Sequence, residues 1–71
     1  MPSAGAEEKL ERLRAELLRH QESARELWLA GYVTMAERHQ RLIRLVCAEI
    51  RRHCLESDLA IPDGLPPEEM D

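Results

Sequence analysis

Three histidines, two cysteines, one Trp and one Tyr are the side chains of this 71-residue sequence with the most chemistry to offer. Cys47 and Cys54 stand seven residues apart, about 10 Å along a helix axis, too far for one zinc ion or for an undistorted disulfide. His39 would need a convergent second and third ligand to hold a metal, and neither Cys-x-x-Cys nor His-x-x-x-His occurs. No metal site and no cofactor are therefore expected. Cys47 and Cys54 read more plainly as small buried apolar groups, and His20, His39 and His53 as hydrogen-bonded imidazoles of a core or a dimer seam. Carboxylate pairs such as Glu7 with Glu11 and Glu22 with Glu26 lie among compensating arginines, and no nucleophile, base and orienting group come together. P-loop, dinucleotide and metalloprotease-helix motifs are absent too. The expectation is a protein that is not an enzyme and takes no small-molecule substrate.

Two groups of side chains suit binding. Trp28, Leu29, Tyr32 and Val33 cluster around Gly31, and Trp and Tyr are the residues most enriched at the energetic centres of protein interfaces. The plainer alternative is that Trp28 closes the end of a bundle and Tyr32 packs on a turn. Arg41, Arg44, Arg51 and Arg52 share the polar side of a helix and could track phosphates or meet an acidic protein patch. The net charge of -4 disfavours nucleic acid as the main partner. That total hides a gradient: residues 35–55 carry five Arg and two Glu, whereas residues 56–71 carry six acids and no base.

These residues must be positioned by two helices. From Ala6 to Ala30 there is neither Gly nor Pro, and Leu10, Leu13, Leu17, His20, Ala24 and Leu27 recur at alternating steps of three and four. Glu7 and Glu8 favour the positive end of the helix dipole, and Gly31 stands where a left-handed cap belongs. A helix is predicted over about 6–30 after a flexible N-terminus at 1–5. A turn at 31–34 follows, and Thr34-Met35-Ala36-Glu37 reads as a capping box that starts a second helix at Met35 and carries it to about residue 56. Met35, His39, Leu42, Ile43, Val46, Ile50 and His53 share one side of that helix. Leu45 widens the apolar arc on one edge, and Ala36, Cys47 and Cys54 widen it on the other.

With no Phe in the sequence, the core must be largely aliphatic. The expected core and dimer contacts are Leu10, Leu13, Leu17 and Leu27 from the first helix with His39, Leu42, Ile43, Val46 and Ile50 from the second. The apolar arc spans about half the circumference, wider than the stripe of about 100° that a surface helix needs. One partner helix would not cover it. The predicted fold is all-α: an antiparallel two-helix hairpin that homodimerises into a four-helix bundle, with an extended acidic, Pro-containing tail at 57–71. Leu59-Ala60-Ile61-Pro62 in that tail could serve as a docking peptide or fold back on the bundle. No run of eighteen apolar residues and no signal-peptide pattern at the start point to a membrane or to secretion, so a cytoplasmic location is the expectation.

The stretch Leu27-Trp28-Leu29-Ala30-Gly31-Tyr32-Val33-Thr34-Met35-Ala36-Glu37-Arg38 resembles the short bacterial helical-hairpin motif called the SHOCT domain. Those motifs read leucine-rich helix, Gly, hydrophobic pair, Ser or Thr, two residues, Glu, second helix; the present sequence departs at Arg38, where they carry an aromatic. The resemblance implies a hairpin. In size and shape the chain is also similar to small phage-encoded inhibitors and anti-activators, including anti-quorum-sensing proteins, which implies a protein that binds and modulates a larger partner such as a transcriptional regulator. The alternatives are a small dimeric DNA-binding protein using the Arg face and a purely structural oligomerisation module.

Overall fold

In the computed structural model, which describes residues 4–65, two α-helices form a hairpin, and no strand occurs among those residues. Helix α1 spans Ala4–Ala30 and α2 spans Val33–Glu56. Residues 1–3 and 66–71 lie outside the described part, and with them most of the predicted N-terminal segment and the last three acids of the tail. The hairpin is a slab of 46 × 26 × 16 Å, little thicker than one helix with its side chains. A body this thin leaves both broad faces near solvent.

The turn is tighter than the sequence suggests. Gly31 takes a left-handed φ of 86°; its N–H bonds to the Trp28 carbonyl at 3.1 Å and the Tyr32 N–H to the Leu27 carbonyl at 2.9 Å. This is the Schellman arrangement, which satisfies two of the carbonyls left over at the end of α1. One left-handed residue reverses the chain, so α2 starts at Val33, two residues before the predicted Met35. The Tyr32 carbonyl accepts the first helical hydrogen bond, from the Ala36 N–H at 3.0 Å. Thr34 therefore sits inside the helix, and the predicted capping box does not form: no side chain caps α2. At its other end α1 begins at Ala4, two residues earlier than predicted.

The end of α2 repeats the Schellman geometry with a non-glycine residue. Asp58 has φ 56°, and the Leu59 N–H reaches back to the Cys54 carbonyl at 2.8 Å. That bond turns the chain toward the helices. Beyond it, residues 57–65 form no helix or strand, and Leu59 and Leu65 pack against the core.

The core is concentrated at the open end of the hairpin. Leu13 and Leu17 of α1 meet Val46, Cys47, Ile50 and Cys54 of α2, with Leu10, Ile43, Leu59 and Leu65 half-buried around them. Ile50 and Cys54 are fully buried. Of the expected core, Leu27 and His39 are also half-buried, whereas Leu42 stays exposed because a single α1 does not reach that edge of the arc. Toward the turn the only buried side chains among the described residues are Ala24 and Ala36.

Candidate functional site: the hairpin tip and the open face of the second helix

Around the Gly31 turn, α1 ends with Trp28 and Leu29, and α2 begins with Val33 and Met35. The tight turn and the two buried alanines cover these side chains only in part. Trp28, Leu29, Tyr32, Val33 and Met35 are all exposed, Leu29 at 80% and Tyr32 at 59%. Trp28 is the least exposed of the five, at 42%. The predicted tip residues all expose apolar surface around the turn, as does Met35.

The apolar arc of α2 divides into two flanks. On one flank Ala36, Cys47 and Cys54 are buried within the single chain. On the other, Met35, Leu42 and Leu45 lie on one side of the helix and remain exposed, Leu45 at 66%. So the returning segment 57–65 and α1 cover one edge of the arc that had been expected to need a second chain, and the opposite edge stays open.

The four arginines do not form one uniform face. Arg41, Arg44 and Arg52 are exposed, with Arg52 Nε at 4.0 Å from Glu56. Arg51 is half-buried beside Cys47, on which its positive charge acts, and it leaves the predicted solvent-facing set because it lies on the flank turned toward the core.

The histidines divide as well. His53 is buried, and its Nε2–H donates to the Ala6 carbonyl at 2.8 Å, while the Ser57 hydroxyl lies 3.5 Å from Nδ1. It clips the start of α1 to the end of α2. His20 and His39 face each other across the helices with their Nδ1 atoms 3.3 Å apart, and Glu16 Oε1 lies 3.8 Å from Nε2 of His20. Both cross-helix pairs, Ala6 with His53 and His20 with His39, straddle the same midpoint between Leu29 and Ala30. A reversal centred on Gly31 itself would set His20 opposite Leu42, so the pairing follows only from the true centre, between Leu29 and Ala30.

No family model matches the chain, and no curated protein or solved structure matches it. The geometry therefore carries the functional argument. A shallow cleft of about 350 Å³ between Arg14, Leu17 and Leu18 of α1 and Pro62–Leu65 brings no histidine or cysteine together with another polar group. Burial pushes both thiols above the ordinary value of 9.0, at Cys47 against the opposing pull of the Arg51 guanidinium. A protonated, enclosed thiol is a poor nucleophile. No helix among the described residues is long and apolar enough to cross a membrane. What the arrangement does offer is exposed apolar surface, at the turn and along one flank of α2.

Proposed function

We propose that this chain is a non-enzymatic binding module that pairs with a second copy of itself and docks through the hairpin tip onto a larger protein, modulating and most simply inhibiting it. The exposed tip carries this reading: Trp28, Leu29, Tyr32, Val33 and Met35 lie around the turn, each with between 42% and 80% of its surface open to solvent. Aromatic and aliphatic side chains presented in this way form the anchors that fill a pocket on a partner. The strip of Met35, Leu42 and Leu45 supports self-association, because a second hairpin laid on it completes a four-helix bundle with its apolar side chains inside. Arg41 and Arg44 beside these surfaces favour a partner with an acidic patch, and a regulator whose own dimer or DNA-binding surface is blocked by such a tip is the kind of target that fits. The test is affinity capture from native lysate with the wild-type chain and with a Trp28→Ala, Tyr32→Ala double variant. Loss of the captured protein with helicity and assembly mass preserved is the expected outcome; undiminished capture removes the tip from the interface.

A further inference from the structure

We infer, resting on the self-association proposed above, that α2 docks antiparallel on α2 of a second copy, with Arg38 of each chain against Glu49 of the other. Met35, Arg38, Leu42, Leu45, Glu49 and Arg52 recur at alternating steps of three and four, the spacing of a coiled-coil seam along one stripe of α2. Glu49 is half-buried and the other five are exposed. The two leucines form the centre of the stripe. Arg38 stands four residues before Leu42, and Glu49 stands four residues after Leu45. The stripe is therefore symmetric in spacing about its leucines and opposite in charge at its two ends. Within one chain Arg38 and Glu49 are separated by more than about 16 Å of helix, so they cannot pair with each other.

A twofold axis through the midpoint between Leu42 and Leu45 fixes which side chains meet. Leu42 then faces Leu45 of the second copy, Arg38 faces its Glu49, and Met35 faces its Arg52, each contact occurring twice. Arg52 Nε lies 4.0 Å from Glu56 of its own chain, which leaves the methylene stem to cover Met35 of the second copy. A parallel pairing keeps leucine on leucine but sets Arg38 against Arg38 and Glu49 against Glu49. Sliding the antiparallel pair by one heptad sets Leu42 against Arg38 in one direction, and Leu45 against Glu49 in the other. Only the register centred on the leucines matches apolar with apolar and positive with negative. Charges beside an apolar centre act here as they do in other helical seams, by excluding the wrong orientations.

The test is sedimentation equilibrium of the full chain and of its charge-reversed variants. Arg38→Glu puts two carboxylates at each contact and Glu49→Arg puts two guanidinium groups there, so each single variant should raise the dimer Kd by about tenfold or more. The double variant restores opposite charges and should return to within about threefold of the wild-type Kd. An equimolar mixture of the two single variants should form a heterodimer about as tight as the wild-type dimer, because each contact again joins Glu to Arg. Weakening caused by misfolding would persist in the double variant and in the mixture, so their recovery assigns the loss to the contact. Single variants as tight as the wild type, or a double variant and a mixture no tighter than the single variants, would overturn this register while leaving self-association in place. A wild-type chain that stays monomeric at every concentration would overturn the register together with the self-association beneath it.

Discussion

The two ends of the hairpin solve the same problem in opposite ways. At the open end, Leu13, Leu17, Val46, Ile50 and Cys54 bury one another, Leu59 and Leu65 return to pack on them, and the His53 to Ala6 hydrogen bond fastens the helices together. At the turn, two alanines supply the buried surface, and the larger apolar side chains face outward. Burial of each Leu or Ile contributes about 1.5–3 kcal/mol, far more than an alanine offers, so the open end holds the fold and the tip adds little to it. Trp28, Leu29, Tyr32, Val33 and Met35 at the tip thus keep apolar surface exposed that the open end would bury.

The largest effect expected from breaking this contrast is at Ile50. Ile50→Ala removes a fully buried side chain and should cost about 2–5 kcal/mol, whereas Tyr32→Ala at the tip should stay within about 0.5 kcal/mol. Urea denaturation of the two variants measures both; equal losses would show that the tip is part of the fold.

A smaller effect, of opposite sign at the two chain reversals, sharpens the comparison. Gly31 has open space where a Cβ would go, so Gly31→Ala isolates the cost of a left-handed backbone and should destabilise by about 1–2 kcal/mol. Asp58 already bears that strain, and Asp58→Gly should recover about 1 kcal/mol. The same urea midpoints check both signs.

The smallest effect concerns pH. Both buried thiols have raised pKa values, so above about 9.0 the unfolded chain releases protons that the folded chain keeps. The unfolded state then binds fewer protons, and stability, undiminished below that pH, falls as pH rises further. Replacing both cysteines with alanine should flatten the alkaline limb of the stability profile, and in the wild type a maleimide should label them slowly at neutral pH and quickly in urea.

The helices were legible because Leu10, Leu13 and Leu17 keep helical spacing and because no Gly or Pro interrupts either run. Gly31 marked the reversal for the same physical reason that it performs it. The start of α2 was misread because Thr34 and Glu37 carry a local capping pattern, while the Tyr32 carbonyl, a backbone group without a sequence signature, opens the helix two residues earlier. The half-buried place of Arg51 was hidden by its charge, which a helical wheel assigns to solvent although its position borders Cys47. The packing of Leu59 and Leu65 has no periodicity to announce it, since it depends on where an irregular segment returns. His20 and His39 were visible as residues but not as a pair, because nineteen positions separate them and only the register of the hairpin brings them together.

The central claim is that the apolar surface left open by one hairpin is covered by another protein chain, first of all by a second copy on the Met35, Leu42 and Leu45 strip. Sedimentation equilibrium of the wild-type chain and of Leu45→Glu tests it most directly. The account predicts twice the 8.2 kDa chain mass for the wild type and a shift toward 8.2 kDa for the variant. A wild-type mass of 8.2 kDa at every concentration, or a dimer indifferent to Leu45→Glu, would contradict it.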